Sequence, residues 1–219
     1  MTNNKKEPDK FKIKGKPKYI KIGDEYNFFE LFKKIQLNFK NCFLFESLGE
    51  ESNISRYHII GFDPKYLIFS ESRNELKIED IDKGEINTYE CENPYYKLRD
   101  IIPQNVISKK YAGGLVGFVS YDGFNYFENN LNIKKNPDFE SFKFGLYLDG
   151  LIYDQMTGEI FYYYYEDNKI EKIKSIINQN NHNSPRVSCK FLKNSMTRDK
   201  HKNTVLKIKE DIKLSLIHI

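Results

Sequence analysis

The stretch Phe144–Asp167, FGLYLDGLIYDQMTGEIFYYYYED, carries the clearest secondary-structure signal in the chain. Two runs rich in strand-forming residues flank DQMTGE, a polar turn with Gly158 near its end, and this pattern predicts a β-hairpin. The run Phe161–Tyr165 offers rings on which nucleic-acid bases could stack. Aromatic residues favour strands because they pack well on a pleated surface, so the run reads instead as covering both faces of a ring-rich sheet.

Outward from the hairpin, the same reading gives a mixture of strands and helices. On the C-terminal side, Ile170, Ile173 and Ile177 recur at helical spacing. NNHNSPRVS reads as a linker, and RDKHKNTVLKIKEDIKLS as a further amphipathic helix. On the N-terminal side, a lysine-rich lead precedes KYIKI, an alternating first strand. Phe28, Leu31, Phe32 and Ile35 then share one helical face, with Asp24 as the expected N-cap. CFLFE and RYHIIGF read as strands, the second closed by Asp63-Pro64. YLIFSESRNELKIEDID reads as two strands about a turn at SRNE, and NPYYKLRDII as a short helix. In KYAGGLVGFVSYDGFNYFE, glycines open and interrupt an apolar run. No Gly-Lys-Ser/Thr follows and the spacing fits no dinucleotide fingerprint, so close packing between sheets explains them better than a phosphate loop.

Composition narrows the function classes. The 219 residues suffice for one large domain or two small ones, and 39% hydrophobic with 30% charged residues suits a soluble globular chain. With no Trp, the aromatic content comes from 16 Tyr and 17 Phe, so the core is expected to rest on rings, Ile and Leu. No window approaches the length of an apolar membrane span, and no apolar secretory segment follows Met1; a cytoplasmic location is the expectation. Cys42, Cys91 and Cys189 form neither a disulfide framework nor a Cys-x-x-Cys site, and the four histidines lack metal-ligand spacing. The net charge of +4 is modest and no recognition motif accompanies the basic ends, so neither nucleic acid nor membrane is an expected partner.

One polar feature stands out. In FLFESLGEESNISRYHIIGFDP, Phe43–Pro64, an apolar strand ends in Glu46-Ser47, and Arg56 opens the next strand. Taken by themselves, these residues describe a strand end whose Ser47 caps the following turn and whose Glu46 is solvated.

Three blocks in order change that reading. The Glu-Ser strand end with its acidic turn, Arg-Tyr and Asp-Pro close, then YAGGLVGFVSYDGFNYFE, then PDFESFKFGLYLDGLIYDQMTGEI, together resemble the anthranilate synthase component I family of chorismate-utilising enzymes. The resemblance covers about residues 18 to 213. Phe45 stands where leucine is usual and His58 where serine is common.

The resemblance implies an α+β fold, an antiparallel-rich β-sandwich with outer helices, of which this chain supplies the N-terminal portion. It implies a lead at 1–17, the N-terminal domain at 18–180, a linker at 181–195 and a helix at 196–213 leading toward a chorismate-binding half. Residues 214–219, LSLIHI, match one reading frame of a transposase adapter and are expected to be an artefactual tail. The implied activity converts chorismate and ammonia to anthranilate and pyruvate in tryptophan biosynthesis, with magnesium whose ligands lie outside this chain. A glutamine amidotransferase subunit, component II, would supply the ammonia. Catalytic residues are expected in none of the positions present, and the chain alone is expected to be inactive. For the Glu-Ser strand end the resemblance implies part of a tryptophan feedback site, in which Ser47 and the carbonyls beside Glu46 accept from the ammonium, Arg56 donates to the carboxylate directly or through water, and Leu44 with nearby rings walls the indole. The alternatives are aminodeoxychorismate synthase component I, which shares the blocks, and a non-catalytic amino-acid-binding module.

Overall fold

The computed structural model describes residues 7–23, 26–47, 55–102, 111–128, 130, 132–179 and 188–218. In chain order the elements are β1 Lys18–Gly23, α1 Phe28–Asn38, β2 Cys42–Phe45, β3 Tyr57–Phe62, β4 Tyr66–Ser70, β5 Glu75–Asp80 and β6 Glu85–Glu90. There follow α2 Pro94–Ile101, β7 Gly114–Val119, a 3₁₀ turn Tyr121–Tyr126, β8 Phe142–Tyr147, β9 Asp149–Asp154, β10 Glu159–Tyr164, α3 Ile170–Ile177 and α4 Arg198–His218. Residues 1–181 form one compact unit. The unit from 182 to 219 consists, in its described part, of a short lead and the 21-residue α4.

Among the described residues, ten strands make two five-stranded antiparallel sheets, ordered β1-β10-β9-β3-β2 and β6-β5-β4-β8-β7. The architecture is α+β, as the sequence implied. The expected hairpin is β9–β10, in register from Asp154↔Glu159 to Asp149↔Tyr164. The strand expected before its turn, however, is two strands. β8 and β9 are separated by Leu148 alone, and they belong to different sheets. Their partners behave alike: β3 pairs with β9, β4 pairs with β8, and only Asp63-Pro64-Lys65 separates β3 from β4. One two-stranded ribbon therefore bends at Leu148 and Asp63 and serves both sheets. Asp63 takes a left-handed backbone, φ 53°, a conformation that aspartate tolerates better than most residues and that turns the strand at the bend.

A partly buried polar group holds this corner. Lys169 Nζ lies 3.0 Å from Asp63 Oδ2 and 2.9 Å from Asp149 Oδ2, while the Tyr162 hydroxyl donates to Asp149 Oδ1 at 2.5 Å. Burial opposes the charge on Lys169, but the two carboxylates outweigh it and hold its ammonium above the ordinary value. Burial pushes the Asp149 carboxyl up, and Lys169 and Tyr162 offset only part of that.

The main apolar cores lie beneath the helices. Phe28, Leu31 and Ile35 of α1 and Ile173, Ile176 and Ile177 of α3 pack on Ile60, Phe62, Leu151, Ile160 and Tyr162 of the first sheet. Leu98 and Ile101 of α2 cover Ile68, Leu76, Ile78 and Phe142 of the second. Between the sheets, the Tyr147 ring meets Phe43 edge-on at 4.9 Å. The tyrosine run alternates as expected: Tyr162 and Tyr164 join the helix-side core, whereas Tyr163 turns to the other face, against Gly150.

Several local expectations need correction. The α1 N-cap is Asn27, whose side chain accepts from Glu30 N; Asp24 lies outside the described residues. The lysine-rich lead is anchored: Phe11 stacks on Tyr66 at 4.7 Å, and its N–H donates to Ile101 O. The edge strand β6, EINTYE, has no apolar alternation strong enough to announce it, and pairing with β5 creates it. The glycines in and just before β7 have separate causes. A Cβ at Gly113 would lie 2.2 Å from Tyr147 O and 3.3 Å from the Tyr163 ring of the other sheet. A Cβ at Gly117 would lie 1.9 Å from Lys143 O, on the neighbouring strand of the same sheet.

Candidate functional site

The Glu-Ser strand end sits at one end of the first sheet, where β2 is the edge strand and β3 and β9 follow it inward. Register carries Leu44 opposite Ile60 and Phe45 opposite Ile59. Leu44 packs against the α1-side core, and Phe43 turns to the other face, its ring covering Gly61 where a Cβ would lie 2.0 Å from it. Residues 48–54 of the acidic turn lie outside the described residues.

Beyond the last strand residue, Ser47 Oγ donates to Tyr57 O at 3.2 Å, which ties the end of β2 to the start of β3. The Ser47 carbonyl accepts from Gln155 Nε2 at 3.3 Å. The same Gln155 amide contacts His58 Nε2, and His58 Nδ1 lies 3.8 Å from Glu46 Oε1. His58 in turn meets Phe28 and Tyr153 edge-on, at 6.0 and 5.5 Å. Glu46, Ser47, His58 and Gln155 thus form one polar group at the mouth of the α1-side core.

Arg56 stands beside this group and is held differently. Its Nε lies 2.9 Å from Asp154 Oδ1 and its Nη2 2.7 Å from Asp154 Oδ2, a fork-to-fork pair that matches two planar groups. Asp154 is 3% exposed, so its charge needs this partner. The hydrogen bonds to Asp154 hold the guanidinium above its ordinary value. The Arg56 guanidinium also lies 5.0 Å from the centre of the Tyr57 ring. Backbone bonds complete the frame, with Gln155 N donating to Arg56 O at 2.9 Å.

The four residues singled out from the sequence therefore fall into three surroundings. Ser47 and Glu46 share the polar group, Leu44 belongs to the core beside it, and Arg56 is clamped by Asp154. His58, Asp154 and Gln155 were not chosen as site residues. The two last belong to DQMTGE, which reads as an ordinary hairpin turn, and nothing in the local pattern shows that this turn folds back onto Ser47 and Arg56.

A second polar group lies in the other sheet. Asp122, 5% exposed, accepts from Ser120 Oγ at 2.7 Å and Ser141 Oγ at 2.8 Å. Burial works against its charge, but the two hydroxyls, its own backbone N–H and nearby Lys135 outweigh that and keep the carboxyl below its ordinary value. Next to it, the Tyr126 hydroxyl and Ser70 Oγ are 2.8 Å apart, and each bonds Ser72 O. Every hydroxyl here is committed to a neighbour, which suits a structural tie between the 3₁₀ turn and β8. Among the described residues, no group of three or more His, Cys, Asp or Glu side chains is placed to hold a metal ion.

Comparison with known proteins gives one consistent result. Residues 40–215 match the family model described as chorismate binding enzyme. Anthranilate synthase component 1 of Leptospira biflexa is 39% identical over 209 residues, covering 93% of this chain and 44% of that protein. The protein of the same name from Methanothermobacter thermautotrophicus is 34% identical over 152 residues, covering 69% of this chain and 32% of its own length. Among solved structures, anthranilate synthase component I from Streptococcus pneumoniae TIGR4 aligns with a TM-score of 0.41 at 22% identity, covering 59% of this chain and 30% of that one. The chain spans less than half the length of these relatives.

Proposed function

Because this chain belongs to the chorismate-binding enzyme family, we propose that it supplies part of an anthranilate synthase component I and, within it, part of a feedback site for tryptophan. The observation that carries the reading is the similarity to relatives of that name along nearly the whole chain. In the reaction, ammonia replaces the ring hydroxyl of chorismate, which leaves as water. The enolpyruvyl group then departs as pyruvate and leaves anthranilate. Magnesium held by ligands from outside this chain belongs to the same proposal. A glutamine amidotransferase subunit supplying the ammonia belongs to the same proposal, as does a cytoplasmic location. Among the described residues, no helix is long and apolar enough to cross a membrane.

The residues at the strand end suit an amino-acid effector. Ser47 Oγ uses its hydrogen on Tyr57 O, which leaves its lone pairs as acceptors for an ammonium. The exposed Glu46 adds negative charge at the same place. Arg56, fixed by Asp154 and about one-third exposed at 34%, is available to a ligand carboxylate through water. Leu44 extends an apolar wall from the α1-side core.

The test uses a version extended to the length of the relatives. With chorismate, ammonia and magnesium it is expected to release fluorescent anthranilate, and tryptophan is expected to suppress the rate. The 219-residue chain alone is expected to release none. Accumulation of aminodeoxychorismate in place of anthranilate would overturn the assignment.

A further inference from the structure

We propose that Gln155 and His58 make the strand-end site acid-sensitive: the Gln155 carboxamide holds the Ser47 carbonyl only while His58 is neutral, so protonation of His58 releases the strand end and weakens its hold on an amino-acid ammonium. The inference rests on the reading of Glu46 and Ser47 as part of an effector site. Gln155 and His58 are positioning residues in it, acting on the ligand through Ser47 and Glu46.

Chemistry sets the hydrogen-bond roles. A backbone carbonyl only accepts, so the carboxamide atom facing Ser47 O at 3.3 Å is the nitrogen, Gln155 Nε2. The same nitrogen contacts His58 Nε2. Its two hydrogens serve the two neighbours, and His58 Nε2 must therefore present a lone pair. Neutral His58 then carries its hydrogen on Nδ1. That atom is buried and, among the described residues, has no hydrogen-bond partner. Glu46 Oε1 faces it at 3.8 Å, too far to accept.

Protonation breaks this arrangement. A charged imidazole donates from both nitrogens, so its Nε2–H meets an amide nitrogen that is itself a donor. Turning the carboxamide over offers its oxygen to Nε2–H, but that oxygen then also faces the Ser47 carbonyl, and two acceptors repel. Either way Ser47 O loses its donor. On the other side of the ring, the new charge attracts Glu46, whose side chain is 33% exposed and has room to close the 3.8 Å gap. A positive charge and a neutralised carboxylate then stand where the ligand ammonium is to bind. The other groups around the ring do not offset this. α1 presents the Phe28 ring and β9 the Tyr153 ring, and the charged groups beside them, Arg56 and Asp154, are paired with each other. Inhibition therefore weakens as pH falls.

The test measures tryptophan inhibition of the version extended to the length of the relatives between about pH 5.5 and about pH 7.5, where histidine side chains ordinarily titrate and free tryptophan stays a zwitterion. Inhibition is expressed relative to each variant's own uninhibited rate at the same pH, and that rate shows that the variant is folded. Wild type is expected to need about three- to tenfold more tryptophan for half-inhibition at the acid end, the equivalent of one hydrogen bond. His58→Gln keeps an acceptor near the place of Nε2 but does not titrate, and its half-inhibition should change less than about twofold. Gln155→Leu should already be about three- to tenfold weaker than wild type at the neutral end. As a readout independent of tryptophan, nitrogen-15 resonances of the His58 ring, identified by their loss in His58→Gln, should report the Nδ1–H form in neutral wild type and the Nε2–H form in Gln155→Leu. Absence of tryptophan inhibition in wild type at every pH would overturn the effector reading and this inference with it. Inhibition in wild type that does not vary with pH would overturn this inference alone. So would a pH dependence retained in His58→Gln, wild-type inhibition of Gln155→Leu, or the Nε2–H form in wild type.

Discussion

The ammonium of Lys169 and the carboxylate of Asp149 lie 2.9 Å apart at the corner where the chain passes from one sheet to the other. Asp149 is 7% exposed and Asp63 completes the group at 3.0 Å, so Lys169 balances two carboxylates near the bend of the shared ribbon. Lys169→Met is expected to cost about 2–3 kcal/mol, below the full value for a buried pair because Lys169 is partly exposed. For a chain of this size that lowers the melting temperature by about 4–12 °C. Asp149→Asn in the same background should restore part of the loss. Thermal unfolding of the single and double variants is the measurement, and equal melting of Lys169→Met and wild type would show that the bend does not need the charge.

Ser47 tests the proposed effector site. In the extended enzyme, Ser47→Phe should weaken tryptophan inhibition and leave the uninhibited rate intact. Losing one hydrogen bond to a charged ammonium costs about 1.5–3 kcal/mol, which is roughly ten- to hundredfold in affinity. Arg56→Ala should weaken inhibition less, since a water-mediated contact contributes less. The tryptophan concentration for half-inhibition, measured at fixed chorismate, decides. Unchanged inhibition of Ser47→Phe would reduce Ser47 to its bond with Tyr57.

Acid should unfold the chain partly through Asp122 and Glu140. Burial opposes the charge of both, but Ser120 and Ser141 at Asp122, and Lys143 at Glu140, hold their folded values below the ordinary 3.8 and 4.5. A depressed carboxyl contributes stability above its unfolded value and loses it as pH falls through its folded value. Asp149 is raised and has the opposite sign: its contribution falls as pH rises from 3.8 toward its folded value. Urea midpoints between about pH 3 and pH 6 should therefore fall less steeply toward acid in Asp122→Asn than in wild type. They should fall more steeply in Asp149→Asn.

Two glycines should respond differently to the same substitution. Gly117→Ala places a Cβ 1.9 Å from Lys143 O, so β7 must shift away from β8, at a cost of about 1–3 kcal/mol. Gly84 has open space around it but a left-handed backbone, φ 67°, and Gly84→Ala should cost about 1–2 kcal/mol. Gly84→Asn should recover much of that cost, because asparagine accepts this conformation, whereas Gly117→Asn should not improve on alanine. Denaturant midpoints of the four variants separate the two causes.

Much of this was legible in the chain itself. The spacing of Phe28, Leu31 and Ile35, the Asn93-Pro94 helix start and the turn before Gly158 are local signals, and α1, α2 and the β9–β10 hairpin follow from them. The Glu-Ser pair at a strand end, with Arg56 opening the next, was visible for the same reason: β2 and β3 neighbour each other in sequence and in the sheet. β6 was not visible, because its residues gain strand structure from β5 and have little apolar pattern of their own.

What the sequence determined by itself was the inventory: strands and helices set by periods of two and 3.6, a ring-built core, and the polar residues at each strand end. Only the tertiary structure decided the rest. Leu148 is an unremarkable apolar residue within a long strand-like run, yet the chain changes sheets there, because the partner strands β3 and β4 break opposite it at Asp63. Asp154 and Gln155 became the clamp for Arg56 and the bridge from Ser47 to His58 because pairing of β3 with β9 brings residues about a hundred positions apart side by side. A period in sequence reports which face a residue occupies. It carries no information about which distant strand will lie opposite, and that choice made the site.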